Sequence, residues 1–214
     1  MPLVSVPLLI ANRHTIQLNP AGSVSIDTIQ FDSLLSRTQT HDRLNLLTCH
    51  TCREDLSAAT SLYTGHFLAD FYLEDSNEFE EWAEIRRQKY LRKTLDSLES
   101  LTTIAIRQQA YAEAHLQAER QLELDDLRES AYQQLMEVLA RNGQRNEALA
   151  VYETCRRHFT EEMGMAPSAR TTGIYEKILA GDLRLDSLQE QGVRGYELQD
   201  EIGAGAYGVI HRAI

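Results

Sequence analysis

Cys49-His50-Thr51-Cys52 is the densest cluster of reactive side chains in the chain, with His41 eight residues upstream of Cys49. Two thiolates at C-x-x-C spacing can share one metal ion, and His41 or His50 can supply a third ligand. A complete structural zinc site takes four ligands, and no second C-x-x-C exists. The same pair can form a reducible disulfide, or simply pack at the start of a helix. A second candidate lies near the other end, where Gly203, Gly205, Gly208 and Val209 spell G-x-G-x-x-G-x-V. Glycines at that spacing let a backbone fold closely over phosphates. A dinucleotide fingerprint needs a helix after them, whereas Val209 to Ala213 reads as a strand. His14, His66, His115, His158 and His211 form no nucleophile–base pattern with a neighbouring serine or cysteine, and Asp125-Asp126 is better placed to cap a helix than to do acid–base work. The G-x-S-x-G elbow, the H-E-x-x-H helix and the Walker A loop are absent. No complete catalytic constellation is present, so the expectation is a chain that is not itself an enzyme.

The elements that must position these residues are mostly helical. Between residues 95 and 160 a pattern recurs every 34 residues: Leu101 and Leu135, Arg107 and Arg141, Glu113 and Glu147, Ala114 and Ala148, Glu119 and Glu153. That period is the signature of tetratricopeptide-type (TPR) helix pairs, with small residues such as Ala114 and Ala148 at the closest helix approach. Upstream, Leu8 to Ile10 and Thr15 to Leu18 flank a turn-like Ala11-Asn12-Arg13-His14, a predicted hairpin. Asp27 is placed to cap a short helix through Leu35, followed by a polar loop from Ser36 to Asn45. A helix is expected from about Cys52 to Leu62, and then a capping box at Asp75 and Glu78 opens a long helix. Phe79, Trp82 and Ile85 lie on its apolar stripe and Arg86 to Lys93 on its solvated face. Later punctuation is clear: Asn142-Gly143, Gly164, Pro167-Ser168 and Gly181 mark helix ends. Cys155 shares a helical face with Ala148, Val151 and Phe159, which makes it a small buried hydrophobe. The fold class expected is mostly α: a TPR-like antiparallel helical-repeat domain with a short hairpin at each end.

Composition narrows the partners. With 43% hydrophobic and 25% charged residues the 214-residue chain is typical of soluble globular proteins, and no apolar run approaches a membrane span. Three cysteines do not make a disulfide framework, which points to a reducing cytoplasm. The formal net charge of −11 repels phosphate backbones.

Several runs, in order, resemble one family. Leu62-Tyr63-Thr64-Gly65-His66-Phe67-Leu68, Phe79-Glu80-Glu81-Trp82 with Arg86-Arg87, Ala148-Leu149-Ala150-Val151-Tyr152-Glu153 and Glu162-Met163-Gly164-Met165-Ala166-Pro167-Ser168 are similar to the bacterial transcriptional activator domain. This is the TPR-like regulatory half of SARP-type activators, and the resemblance covers about residues 45 to 181. It implies a regulatory scaffold that binds a protein partner on its helical-repeat face, a second copy of the chain being one candidate. In that family a winged helix-turn-helix precedes the domain and binds DNA. Residues 1 to 44 resemble only its last hairpin and joining helix, so DNA contact is expected only through a winged domain that has no counterpart here. After a linker at 182 to 194, residues 195 to 214 resemble the first hairpin of a protein kinase domain. That resemblance implies ATP binding at Gly203, Gly205, Gly208 and Val209 only where a full kinase domain follows. The alternative function it raises is the N-terminal sensor or scaffold of a serine/threonine kinase-like signalling protein.

Overall fold

Asn12 folds the chain back on itself near its start. Its side-chain carbonyl accepts hydrogen bonds from the backbone N–H groups of His14 and Thr15, both at 2.8 Å, and closes an Asx-type turn. The flanking strands β1 (Leu9–Ala11) and β2 (Ile16–Leu18) pair antiparallel, with Leu9 opposite Leu18. The computed structural model describes residues 7–19, 21, 24–40, 48–73, 75–182, 198–205 and 208–213. Seven helices follow among them: α1 (Asp27–Thr40), α2 (His50–Leu62), α3 (Asn77–Arg107), α4 (Tyr111–Leu124), α5 (Glu129–Arg141), α6 (Arg145–Met163) and α7 (Ala169–Ala180). A second antiparallel hairpin, β3 (Leu198–Gly205) with β4 (Gly208–Ala213), ends the described chain. Two units, residues 1–131 and 132–214, divide within α5.

In the first unit α1, α2 and α3 share one core. Phe31 and Leu35 of α1 pack with Leu56 and Ala59 of α2, Tyr63, and Tyr90 and Leu101 of α3. The Phe31 and Tyr90 rings meet edge-on with centroids 5.6 Å apart, a geometry aromatic quadrupoles favour. α1 runs five residues beyond the expected end, so the predicted loop after Leu35 is corrected as far as Thr40. The cause is tertiary: Thr38 is buried and bonds back to the Leu35 carbonyl, while the Arg37 guanidinium forks onto the buried Asp55 carboxylate of α2. α4 packs on α3 within the same unit with Ala114 and Ala118 fully buried, and its Arg120 reaches the Thr60 and Tyr63 carbonyls at the end of α2. There the cation adds a charged donor to carbonyls at the helix C-terminus, where few intrahelical donors remain.

The second unit repeats this capping device. Arg145, opening α6, donates to the Ile178 and Leu179 carbonyls at the end of α7, at 2.9 and 2.7 Å. Tyr132 Oη lies 2.9 Å from His158 Nδ1, and Tyr152 stacks on Tyr175. Cys155 is completely buried, as its helical neighbours suggested.

The 34-residue period is written into the backbone. α3 ends at Arg107 and α5 at Arg141; α4 begins at Tyr111 and α6 at Arg145. Ala110 N–H bonds to the Ala105 carbonyl at 2.9 Å, and Gln144 N–H to the Leu139 carbonyl at 2.8 Å. Both turns contain a left-handed residue at the same point, Gln109 with φ 58° and Gly143 with φ 79°. Only glycine takes that conformation without strain. Gln109→Gly is therefore expected to stabilise the protein by about 0.5–1 kcal/mol, and Gly143→Gln to destabilise it by about 1 kcal/mol. Urea unfolding midpoints check both signs.

The start of α3 differs in detail from expectation. Ser76, not Asp75, is its N-cap, its hydroxyl accepting from Phe79 N–H at 3.4 Å. Asp75 sits one residue earlier with φ 66°. The N-cap must accept from a residue two or three further on, and that register is met by Ser76.

Candidate functional site, an aromatic face on the third helix

α3 is 31 residues long, and its two halves do different work. The C-terminal half is core: Leu95, Leu98, Leu101 and Ile104 are each no more than 3% exposed. The N-terminal half carries Trp82 at 43% and Ile85 at 64% exposure. The expectation that Trp82 lies in the core is thus corrected. Amphipathic spacing identifies the apolar stripe, but among the described residues of unit one nothing buries Trp82 and Ile85 at its outer end.

The segment before α3 widens this face. Phe71, Tyr72 and Leu73 are all more than two-fifths exposed. Rings connect across it: Phe71 to Phe79 at 5.5 Å, Phe79 to Trp82 at 5.6 Å and Trp82 to Phe67 at 5.6 Å. Phe67 continues inward to Tyr90 and so ties the face to the core. Arg86 lies over the Trp82 ring at 5.4 Å, a cation–π contact. Arg87 fixes the preceding loop by donating to the Phe67 and Leu68 carbonyls. A preordered, exposed aromatic cluster with an arginine at its edge has the composition of a protein-binding hot spot. Beside it, a cavity of about 370 Å³ opens between α1 and the loop after α2, lined by Asp27, Phe31, Tyr63, His66, Phe67 and Tyr90.

The basic run on α3 is not only a solvated face. Lys89 and Lys93 converge on Asp32 of α1, with Nζ–oxygen distances of 3.2 and 2.5 Å. Burial pushes the Asp32 carboxyl upward, but the hydrogen bonds and charges of Lys93 and Lys89 outweigh it and hold it below the usual carboxylate value. A depressed folded-state value means the link stabilises above the unfolded pKa, near 4, and is lost as pH falls through the folded value. Melting temperatures of the native chain and Asp32→Asn should differ at neutral pH and converge below about pH 4.

The sequence-predicted site residues fall in three places. Cys49 caps α2, its Sγ accepting from Cys52 N–H at 3.4 Å; Cys52 is 2% exposed. His50 points its ring at Glu54, His41 lies outside the described residues, and no group of three metal-ligating side chains forms among those described. Gly203, Gly205, Gly208 and Val209 lie on the β3–β4 hairpin, with Gly205 opposite Gly208 and Ala204 opposite Val209. Asp125 closes the C-terminal end of α4, and its carboxylate accepts from Leu127 N–H in the turn that follows; α5 starts only at Glu129, so the expected cap of that helix by Asp125-Asp126 is corrected to a turn role for Asp125. No helix among the described residues is long and apolar enough to cross a membrane.

Known proteins fit this architecture. The model of the bacterial transcriptional activator domain matches residues 26–179 and so takes in α1 as well as the later helices. A search of curated proteins finds no match. Among solved structures the chain is similar to Mycobacterium tuberculosis EmbR in complex with a low-affinity phosphopeptide, with a TM-score of 0.59 and 18% identity. The alignment covers 81% of this chain and 43% of that one. At this identity the likeness is one of fold. The family model spans well over half of the sequence, and its helices are those that build both units: the chain belongs to the bacterial transcriptional activator domain family.

Proposed function

We propose that this chain is the regulatory, protein-binding module of a bacterial transcription regulator, and that it acts by contact rather than by catalysis. The family match supports the regulatory role. The observation that carries the contact role is the ring cluster of exposed Phe71 and Trp82 joined through half-buried Phe79, which is ordered by Phe67 and Arg87 before any partner arrives. Such preorganisation lowers the entropy cost of binding. DNA recognition belongs to a winged domain acting with this module, since the net charge of −11 opposes the duplex.

A second copy of the chain is the simplest partner to test. Trp82 is the sole tryptophan, so its emission reports directly on the face. Sedimentation velocity over a wide concentration range, with emission read on the same samples, separates the cases. A dimer whose Trp82 emission moves to shorter wavelength supports contact through this face. A dimer with unshifted emission places the contact elsewhere. A monomer throughout excludes the homodimer and leaves a different protein as partner.

A second reading rests on the β3–β4 hairpin, which pairs Gly203, Gly205 and Val209 with strand partners as a phosphate-covering hairpin would. On this reading the helical module is the N-terminal sensor of a kinase-like signalling protein. ATP binding would then require the lysine and aspartates of a complete kinase domain. The chain alone should show no ATP hydrolysis; turnover lost on Gly205→Val would contradict that.

A further inference from the structure

We propose that Cys49 and Cys52 form a reversible thiol–disulfide exchange site whose substrate is a low-molecular-weight disulfide. Cys49 is the N-cap of α2, partly exposed, with φ −80° and ψ 111°, and its sulfur faces the Cys52 N–H at 3.4 Å. Cys52 lies one turn along the helix and is 2% exposed. The arrangement imposes an order: only Cys49 is open to a reagent from solution, and Cys52 is reachable only through Cys49. Residues one turn apart lie roughly within the Cα separation a disulfide spans, and the extended backbone at Cys49 turns its sulfur toward the first turn of α2, where Cys52 lies. Among the described residues the charges nearby are paired: Asp55 with Arg37, Arg53 with Glu113 and His50 with Glu54. Cys155 is fully buried and offers no competing thiol at the surface.

Electrostatics agree with the geometry. The Cys52 N–H, followed by the Cys52 thiol and then the Thr51 N–H, lowers the Cys49 value against a smaller opposing effect of burial and Asp55. Burial, with the neighbouring Cys49, pushes Cys52 up to about 11. The nucleophile is therefore the outer sulfur and the resolving thiol the inner one.

The exchange runs in two steps. The Cys49 thiolate attacks one sulfur of the disulfide RSSR; a Cys49–SR mixed disulfide forms and RS⁻ leaves, taking a proton from water. Cys52 then attacks the Cys49 sulfur, its proton passing to the second departing RS⁻. Two protein thiols are oxidised to one disulfide and RSSR is reduced to two RSH. Excess RSH reverses both steps. The bond would pin the first turn of α2 one turn away from the Arg37–Asp55 link that ties α2 to α1.

The test uses the full chain with excess oxidised glutathione, followed by alkylation and peptide mass spectrometry. The expected product is a Cys49–Cys52 disulfide, lighter by two hydrogens and restored by reduced glutathione, with Cys155 unmodified until the chain is denatured. Cys52→Ser should stall as the Cys49 mixed disulfide. Cys49→Ser should not react in the native state, and it keeps the fold because serine is a good N-cap. Native iodoacetamide labelling should favour Cys49 over Cys52 by about tenfold or more. Circular dichroism of both variants confirms that they remain helical. Unreacted thiols in the native chain, a mixed disulfide that never resolves, or one zinc ion per chain blocking both sulfurs would each overturn the proposal.

Discussion

Phe31→Ala is expected to destabilise the protein by about 3–5 kcal/mol, the range for emptying a buried aromatic site. Phe31 is 3% exposed and packs edge-on against Tyr90 from a different helix. Truncation removes the ring from water-excluded surroundings and leaves a void, because α1, α2 and α3 all contribute to the same core and cannot collapse independently. The experiment bears on how the chain is organised. If α1 merely joined a preceding domain to the helical one, the loss would be small and confined to local fraying. A cooperative drop in the urea midpoint of the whole first unit is the result this core requires; an unchanged midpoint would detach α1 from it.

The second large effect contrasts two positions on one helix. Leu98→Ala should cost about 2–5 kcal/mol, since its side chain is 1% exposed in the C-terminal half of α3. Trp82→Ala should cost no more than about 1–2 kcal/mol, because almost half of the indole already faces water and its ring contacts are to the half-buried Phe67 and Phe79 rather than to the fully buried core. Thermal unfolding of the two variants tests the pair. Equal losses would put Trp82 in the core after all and remove the candidate binding face.

The features legible in the sequence were those set by local chemistry. The 34-residue repeat appeared because equivalent turns make equivalent short-range hydrogen bonds, as at Ala110 and Gln144. Gly164 and Gly181 marked helix ends because both adopt left-handed φ values that favour glycine, and Ser168 marked a start because its hydroxyl reaches Thr171 N–H. Long-range features were not legible. Lys89 and Lys93 read as solvated because their partner, Asp32, is 57 and 61 residues away in sequence. Ser36 to Thr40 read as a loop because the contacts of Thr38 and Arg37 that hold it helical involve burial against α2. Trp82 was misplaced for a related reason: periodicity gives the direction of an apolar stripe, not whether a neighbour covers it. The candidate site was therefore visible as residues and invisible as a surface.

The organisation of the C-x-x-C pair lay between these cases. Its spacing admitted metal binding, a disulfide or simple packing. What distinguishes the two sulfurs is the helix start at His50, which exposes the first and buries the second.

The central claim is that this family member works by presenting the Trp82 face to another protein. The most direct measurement is photocrosslinking in the native cell, with a photoreactive residue at position 82 and a control at the exposed Arg157 of α6. The account predicts a defined adduct from position 82 to a DNA-binding or transcription component, or to a second copy of the chain, and none from the control. Equal labelling from both positions, or no adduct at position 82, would contradict it.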